Sequence, residues 1–258
     1  MKSSVSVLGV IPARYDSKRF PGKALADIKG KPMIQWVHER ASEAKEISRL
    51  IIATDDKRIY DVAHSFGAEV EMTARDIRNG TERAAVVAEN HDHSIVVNIQ
   101  GDEPLIDPGA IDAAIRTLID ADEAVASTLV KKIDSIEELT NVNMPKVVLD
   151  TQGHALYFSR AAIPYYRDET NPLEWITNQT YFRHIGLYAY RKSFLKTYVG
   201  LPETGLERTE KLEQLRILEY GYKIKAAIVD YAPRGVDTPD DLESLIQYIE
   251  EDDIGQGN

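Results

Sequence analysis

Between Arg14 and Lys31 the chain places six basic residues, Arg14, Lys18, Arg19, Lys23, Lys29 and Lys31, against two acids, Asp16 and Asp27. Arginine offers a rigid fork of donors suited to bidentate contact with phosphate oxygens, and lysine a mobile point charge for the same purpose. The apolar run Val7-Leu8-Gly9-Val10-Ile11, rich in β-branched residues and short enough for a buried strand, leads directly into this stretch. A cationic loop at the carboxyl end of the first strand is where an open α/β sheet binds its ligand. Pro12 and Pro21-Gly22 punctuate it, so neither a continued strand nor a helix is expected there, and Gly22 would let backbone approach a ligand closely. The pattern is neither G-x-x-x-x-G-K-[ST] nor G-x-G-x-x-G, so side-chain cations rather than a glycine nest would grip a polyphosphate. A solvated turn carries similar lysines; the preceding strand, the two arginines and Gly22 favour the cradle.

Two turns at strand ends supply isolated carboxylates: Asp102 in Gln100-Gly101-Asp102-Glu103-Pro104, and Asp237 in Gly235-Val236-Asp237-Thr238-Pro239. Hard oxygen ligands, few in number, suit Mg²⁺, which keeps several waters and takes its other ligands from phosphates. Asp237 also reads as a turn or helix-cap residue. Glu210, Glu213 and Gln214 stand at i, i+3 and i+4 of a charged helical segment, a face that would meet either a hydroxyl-rich ligand or solvent. His184, in Phe182-Arg183-His184-Ile185-Gly186, either bonds a polar substrate or is a satisfied structural histidine. His91-Asp92-His93 has no third metal ligand at helical spacing, and no serine-hydrolase elbow is present.

These groups need a frame. Strands are expected at 49–55, 68–72 and 94–100, and helices at 32–41 (with Pro32 in the first turn), at 59–66 up to Gly67, and from a Thr81 cap to about Asn90. Strand and helix alternate, which predicts a parallel sheet covered on both faces. The second half is less regular: strands at 124–130, 146–149, 155–158, 185–190 and 224–229, an exposed excursion at 170–179, one charged helix over 205–220, and a final amphipathic helix over 240–250 before a frayed polar tail. A single domain over 1–258 is expected, with a lobe at about 142–220 forming a second binding surface and no linker at its borders.

The chain has 258 residues, 43% hydrophobic and 28% charged, ordinary for a globular protein able to bury a core. A formal net charge of −11 argues against nucleic-acid or anionic-membrane partners and directs the clustered cations to a small anionic ligand. There is no transmembrane run, no signal peptide and no cysteine, so a cytoplasmic protein without disulfides or thiolate metal sites is expected.

Taken in order, these motifs resemble the sugar-acid cytidylyltransferases, in particular those acting on 3-deoxy-manno-octulosonate (Kdo). The carrying residues are Ile11-Pro12-Ala13-Arg14 with Ser17, Arg19 and Pro21-Gly22-Lys23; Gly80-Thr81-Glu82-Arg83; Asn98 and Gln100 to Pro104; Lys146 to Asp150; Tyr157 to Arg160; Arg183 to Gly186 with Tyr188; Glu213 to Arg216; and Gly235 to Pro239. The resemblance spans roughly Val5 to Leu245. It implies a Rossmann-like nucleotide-diphospho-sugar transferase fold of the α/β class, a mixed, mostly parallel sheet with helices on both faces and a smaller lobe for sugar binding and dimerisation. It further implies a homodimer in which the sugar acid attacks CTP, with Mg²⁺ required, to give a CMP-sugar and pyrophosphate for lipopolysaccharide biosynthesis. By position, Arg14, Arg19 and Lys23 would hold the triphosphate beside Ser17, while Ala13, Gly80, Arg83 and Gln100 would surround cytosine and ribose. Asp102 and Asp237 would ligate Mg²⁺, with Arg14, Arg19, Lys23 and Asp102 the catalytic set. Arg160, His184, Tyr188, Glu213 and Gln214 would bind the sugar acid, Arg160 taking its carboxylate. Asn79, Asp16 and Gly205 to Glu210 depart from the family's common pattern. Because acids line the 205–220 helix, 8-amino-Kdo is the alternative sugar; a sialic-acid or polyol-phosphate enzyme and a non-catalytic nucleotide-binding protein are the remaining readings.

Overall fold

The structure, a computed structural model, describes residues 5–17 and 19–255. Lys18, part of the expected phosphate grip, lies outside the described residues, as do residues 256–258 of the polar tail. The chain divides into two compact units, residues 1–111 with 233–258, and residues 112–232. The expected lobe at 142–220 falls inside the second.

In chain order the first unit contains β1 (Val7–Ala13), a single 3-10 turn (Lys23–Leu25), the short strands β2 (Asp27–Ile28) and β3 (Lys31–Pro32), α1 (Met33–Ser42), β4 (Arg49–Thr54), α2 (Lys57–Ser65), β5 (Glu69–Met72), α3 (Gly80–Glu89) and β6 (Ile95–Asn98). α4 (Pro108–Ile119) carries the chain into the second unit. The four longer strands pair in parallel in the order β6-β1-β4-β5, with Leu8 opposite Arg49 and Val7 opposite Ile95. β1 and β6 are buried on both faces, as parallel strands between covering layers must be.

β1 continues through Pro12 and Ala13, beyond the expected boundary. The register explains why a proline is tolerated. Ile99 N donates to Val10 O at 2.9 Å, so Pro12, two residues on, turns its missing N–H to the same side, past the last β6 pair at Val10 and Asn98. The loop after β1 does contain one helical turn, at Lys23–Leu25. Pro32 is the N-cap of α1 rather than part of its first turn. α3 is capped not by Thr81 but by Asn79, whose side chain accepts from Glu82 N at 2.8 Å. Thr81 lies within the first turn and accepts from Asn98 Nδ2 at 3.2 Å.

In the second unit the chain runs through β7 (Ala126–Lys132), α5 (Ile136–Thr140), β8 (Lys146–Leu149), β9 (Ala155–Ser159), α6 (Pro172–Asn178), β10 (Phe182–Arg191), α7 (Lys192–Gly200), α8 (Gly205–Glu210), α9 (Gln214–Glu219) and β11 (Ile224–Ile228). β11 is parallel to β7, while β10 is antiparallel to β7 and β8, and β8 to β9. Together the two units give the mixed, mostly parallel α/β architecture. The chain then returns to the first unit in α10 (Pro239–Gly255). Val236, Leu245 and Ile249 pack there with Ile28 and Met33, which fixes the segment carrying Asp237. Among the described residues, no helix is long and apolar enough to cross a membrane.

Two expectations for the second unit are corrected. The stretch at 170–179 is largely exposed, as expected, but it contains α6: Asn171-Pro172 is an N-cap followed by a proline at the first helical position, and Trp175 is buried against Tyr181, Ile133 and Leu139. The single helix over 205–220 is two helices. Lys211 adopts a left-handed conformation (φ 54°) that ends α8, and α9 begins at Gln214. A buried ion pair of Glu207 with Arg216, with contacts at 2.7 and 2.5 Å, binds the two pieces together.

Gly101 tests the packing at the end of β1. A Cβ there would stand 2.6 Å from the Pro12 carbonyl oxygen, a backbone atom that cannot swing aside, whereas a Cβ on Gly200 would meet nothing within 4 Å. Gly101→Ala is expected to lower unfolding free energy by about 1–3 kcal/mol. Gly200→Ala should stay within about 0.5 kcal/mol of wild type. Urea unfolding of the two variants checks both, and equal stabilities would contradict the described contact.

Candidate functional site

β6 stops pairing with β1 at Asn98, and the loops beyond open a cavity of about 260 Å³. Ala13, Arg14, Ser17, Lys23, Gly80, Gln100 and Asp102 line it, seven of the residues named from the sequence, together with Pro12, Asp16, Ala24 and Gly101. Within the loop one carbonyl accepts twice: Tyr15 O takes Ser17 N at 2.9 Å and Gly22 N at 2.8 Å. Gly22 has φ 73°, and a Cβ on it would stand 3.0 Å from the Tyr15 ring, so glycine serves both the conformation and the close approach. The Arg58 guanidinium lies 3.2 Å from the centre of that ring on its way to Asp56, which it meets at 2.9 and 2.7 Å. The Arg58 partner holds the Asp56 carboxyl at about 2, so this buttress stays ionised. The loop's fixity is therefore built from elements behind it. Arg14 donates to the Ile77 carbonyl, and Gly80 opens α3, so a helix N-terminus faces the same space.

Lys23 is the centre of charge. Its Nζ lies 2.6 Å from Asp102 Oδ2, 3.1 Å from Asp237 Oδ1 and 3.2 Å from Val236 O. Burial works against the ammonium, but the two carboxylates outweigh it and hold its pKa above the ordinary lysine value. Arg19 is not among the cavity's lining residues; its guanidinium takes the other oxygen of Asp237 at 2.8 Å. Val236 N donates to Asp102 O at 2.9 Å, which couples the two acidic turns through the backbone. Arg83 is placed away from the cavity lining. It is fully buried on α3 and donates to Asp55 Oδ2 at 2.8 Å and to Thr73, while its Nε has no hydrogen-bond partner among the described residues.

The donor set suits Mg²⁺. Two carboxylates converge on one cationic group, and among the described residues there is no cluster of three or more His, Cys, Asp or Glu such as a closed protein cage would need. An ion that takes one or two carboxylates and completes its shell with phosphate and water fits that count. His91, by contrast, contacts Glu71 at 2.5 Å and Arg49 at 2.9 Å in an edge network.

The residues named for a sugar acid all lie in the second unit. β10 has a bulge between Ile185 and Tyr188, which re-aims side chains there. Thr128 Oγ1 reaches the Ile185 and Leu187 carbonyls of the bulge at 3.2 and 2.9 Å, and His184 Nε2 at 3.0 Å. The Tyr188 hydroxyl is 2.9 Å from the same nitrogen. Burial lowers the His184 pKa to about 3, so the ring is neutral, and burial raises that of Tyr188, with the Glu213 charge adding to it. Gln214 is 7% exposed, and its Nε2 has no hydrogen-bond partner among the described residues.

Glu210 and Arg160 are placed differently from expectation. The break at Lys211 removes the common face of Glu210, Glu213 and Gln214. The Glu210 carboxylate accepts from Ser159 Oγ at 2.6 Å and Arg160 N at 2.9 Å. The Arg160 guanidinium donates to the carbonyls of Glu210, Val142 and Lys211 at 2.7, 3.0 and 3.4 Å, so it fastens the helix break. Two of the acids on the 205–220 segment are thus occupied: Glu210 by this anchor, Glu207 by Arg216. Sequence reasoning missed Thr128, Tyr15 with Arg58, and the Arg19–Asp237 pair, because pairing across distant segments leaves no local pattern.

Known proteins resemble this chain over nearly its whole length. A family model described as cytidylyltransferase matches residues 8–224. A 3-deoxy-manno-octulosonate cytidylyltransferase of Solibacter usitatus is 49% identical, covering 98% of each chain, and one of Syntrophotalea carbinolica is 51% identical over 95% of this chain and 99% of its own. A solved CMP:2-keto-3-deoxy-manno-octonic acid synthetase complexed with CTP is 39% identical, with a TM-score of 0.89 over 96% of this chain and 99% of that one. A match of this length and identity, on the same fold, leaves one conclusion: the chain belongs to the cytidylyltransferase family.

Proposed function

We propose that the protein activates 3-deoxy-manno-octulosonate with CTP, giving CMP-Kdo and pyrophosphate. The observation that carries this reading is the cavity in which Arg14, Ser17 and Lys23 face Asp102, in a chain about half identical from end to end to Kdo cytidylyltransferases. The sugar's C2 hydroxyl oxygen forms the new bond to the α-phosphorus and gives up its proton to water, the bond from that phosphorus to the bridging oxygen breaks, and pyrophosphate leaves with the electron pair. Attack on a triphosphate is opposed mainly by charge and misalignment, so positioning and preorganised cations supply most of the acceleration.

In this scheme Arg14 and Lys23 bind the phosphates, Ser17 lies beside them, and Ala13, Gly80 and Gln100 border the nucleoside. Arg19 acts at the rim through Asp237, and Arg83 is paired with Asp55. Asp102 and Asp237 would hold Mg²⁺, which when bound supplies charge neutralisation for the phosphates and the leaving group. In the second unit the uncharged His184–Tyr188 pair and the Gln214 Nε2, which has no partner among the described residues, suit the hydroxyls of a sugar acid, with the Glu213 charge acting on Tyr188. Arg160 positions these residues by holding the α8–α9 break. A homodimer through the second unit belongs to the same proposal, and exposed Leu156, Tyr165 and Leu173 offer apolar area for it.

Lys23→Ala and Asp102→Ala are each expected to lower kcat/KM by at least about a hundredfold, on the scale of removing one electrostatic stabiliser. Near wild-type turnover in both would refute the site. Pyrophosphate release should occur with CTP and Kdo and not with UTP or ATP, and a faster rate with 8-amino-Kdo than with Kdo would reassign the sugar. Because His184 is held near 3 in the folded chain and a free histidine titrates near 6.5, the unfolded chain binds the extra proton between those values. Stability should therefore fall as pH drops from about 6 to 4, by up to about 1.4 kcal/mol per unit from this residue, and His184→Gln should flatten that slope in urea unfolding.

A further inference from the structure

We propose that Lys23 is a built-in counter-ion that occupies the place of the divalent cation between Asp102 and Asp237, so that nucleotide must bind before metal. The inference rests on the reading of this cavity as a nucleotide site, and concerns the order in which its charges assemble.

Three acceptors, the Asp102 and Asp237 carboxylates and the Val236 carbonyl, surround the Lys23 ammonium at 2.6, 3.1 and 3.2 Å. An ammonium has three N–H donors, so each can find a partner and the group is fully satisfied where it stands. Its side chain is 16% exposed, which limits competition from water. Arg19 takes the second oxygen of Asp237, so the carboxylate is held from both sides and stays aimed inward. A free divalent cation approaching these carboxylates meets a positive charge already seated on them, at a separation where the repulsion is only partly screened.

The lysine stem has four rotatable carbons, and the carboxylates are its partners only for want of a stronger anion. A triphosphate entering between Arg14 and Lys23 offers the ammonium new acceptors a short swing away. That swing releases Asp102 and the Oδ1 of Asp237 together, at the moment when phosphate oxygens are present to complete a metal's shell. Until then, the same ammonium keeps two converging carboxylates from repelling one another apart. Lys23 thus positions the metal ligands before it binds the phosphates.

Mn²⁺ titration of the nucleotide-free protein, followed by the electron paramagnetic resonance signal of free Mn²⁺, tests this without any turnover. Lys23→Gln and Lys23→Met should bind Mn²⁺ at least about tenfold more tightly than wild type, because the seated charge is gone. Lys23→Arg should remain as weak as wild type, and adding Asp102→Asn to Lys23→Gln should abolish the gain. Wild type binding Mn²⁺ as tightly as Lys23→Gln, or a gain that survives Asp102→Asn, overturns the proposal. Glutamine keeps donors for both carboxylates, and thermal melts verify that each variant is folded. Should every neutral variant unfold, wild-type crystals with Mn²⁺ decide: anomalous density between Asp102 and Asp237 without CTP overturns the inference, and its appearance only with CTP supports it. Failure of the cytidylyl-transfer reading would appear elsewhere, as absent pyrophosphate release.

Discussion

One ammonium group joins three stretches of chain that are far apart in sequence. Lys23 is 79 residues from Asp102 and 214 from Asp237, and its Nζ contacts both. Without that cation, two carboxylates would face each other across a partly enclosed space, which is unfavourable unless a positive charge neutralises them. Without the carboxylates, a half-buried lysine would be destabilised by lost hydration. Each side makes the other tolerable, and the turn after β1, the turn after β6 and the segment before α10 are consequently held in one geometry.

The frame behind this contact is rigid for reasons that are local and additive. β1 is paired on both sides as far as Val10, then loses β6 while keeping β4 to Ala13, and the divergence makes room for ligand at the carboxyl end. Gly101 is pressed against the Pro12 carbonyl, the Tyr15 carbonyl closes the phosphate loop, and Arg58 stacks under Tyr15 with Asp56 as its own anchor. In the second unit a different device is used. A threonine hydroxyl fills the mouth of a β-bulge, and a neutral histidine and a tyrosine line up beside it.

How much of this was legible in the chain follows from the range of each interaction. The strands of the first unit and the position of the cationic loop were readable, since hydrophobic runs and punctuating Pro and Gly are local signals. Asp102 and Asp237 were readable from their turns and from the resemblance. The α8–α9 break was not: Lys211 takes a left-handed conformation with no glycine to announce it, and the cause lies in Arg160 gripping carbonyls across the break. α4 was overlooked although its signals are present, with Asp107 accepting from Gly109 N and Ala110 N and with Ile111, Ala114, Ile115 and Leu118 all buried at helical spacing. Arg83 was readable as a motif arginine, but its pairing with Asp55 was not, because the two are 28 residues apart.

The first unit is closed by the chain's return: residues 233–255 rejoin a unit whose last strand, β6, ends at Asn98. Asp237 and the apolar side of α10 arrive only after the whole intervening unit has been synthesised. On the ribosome, the emerging polypeptide therefore exposes Lys23 and Asp102 long before their third partner exists. Lys23 and Asp102 can thus meet before Asp237 is made, and the three-way contact closes only once the second unit lies between them.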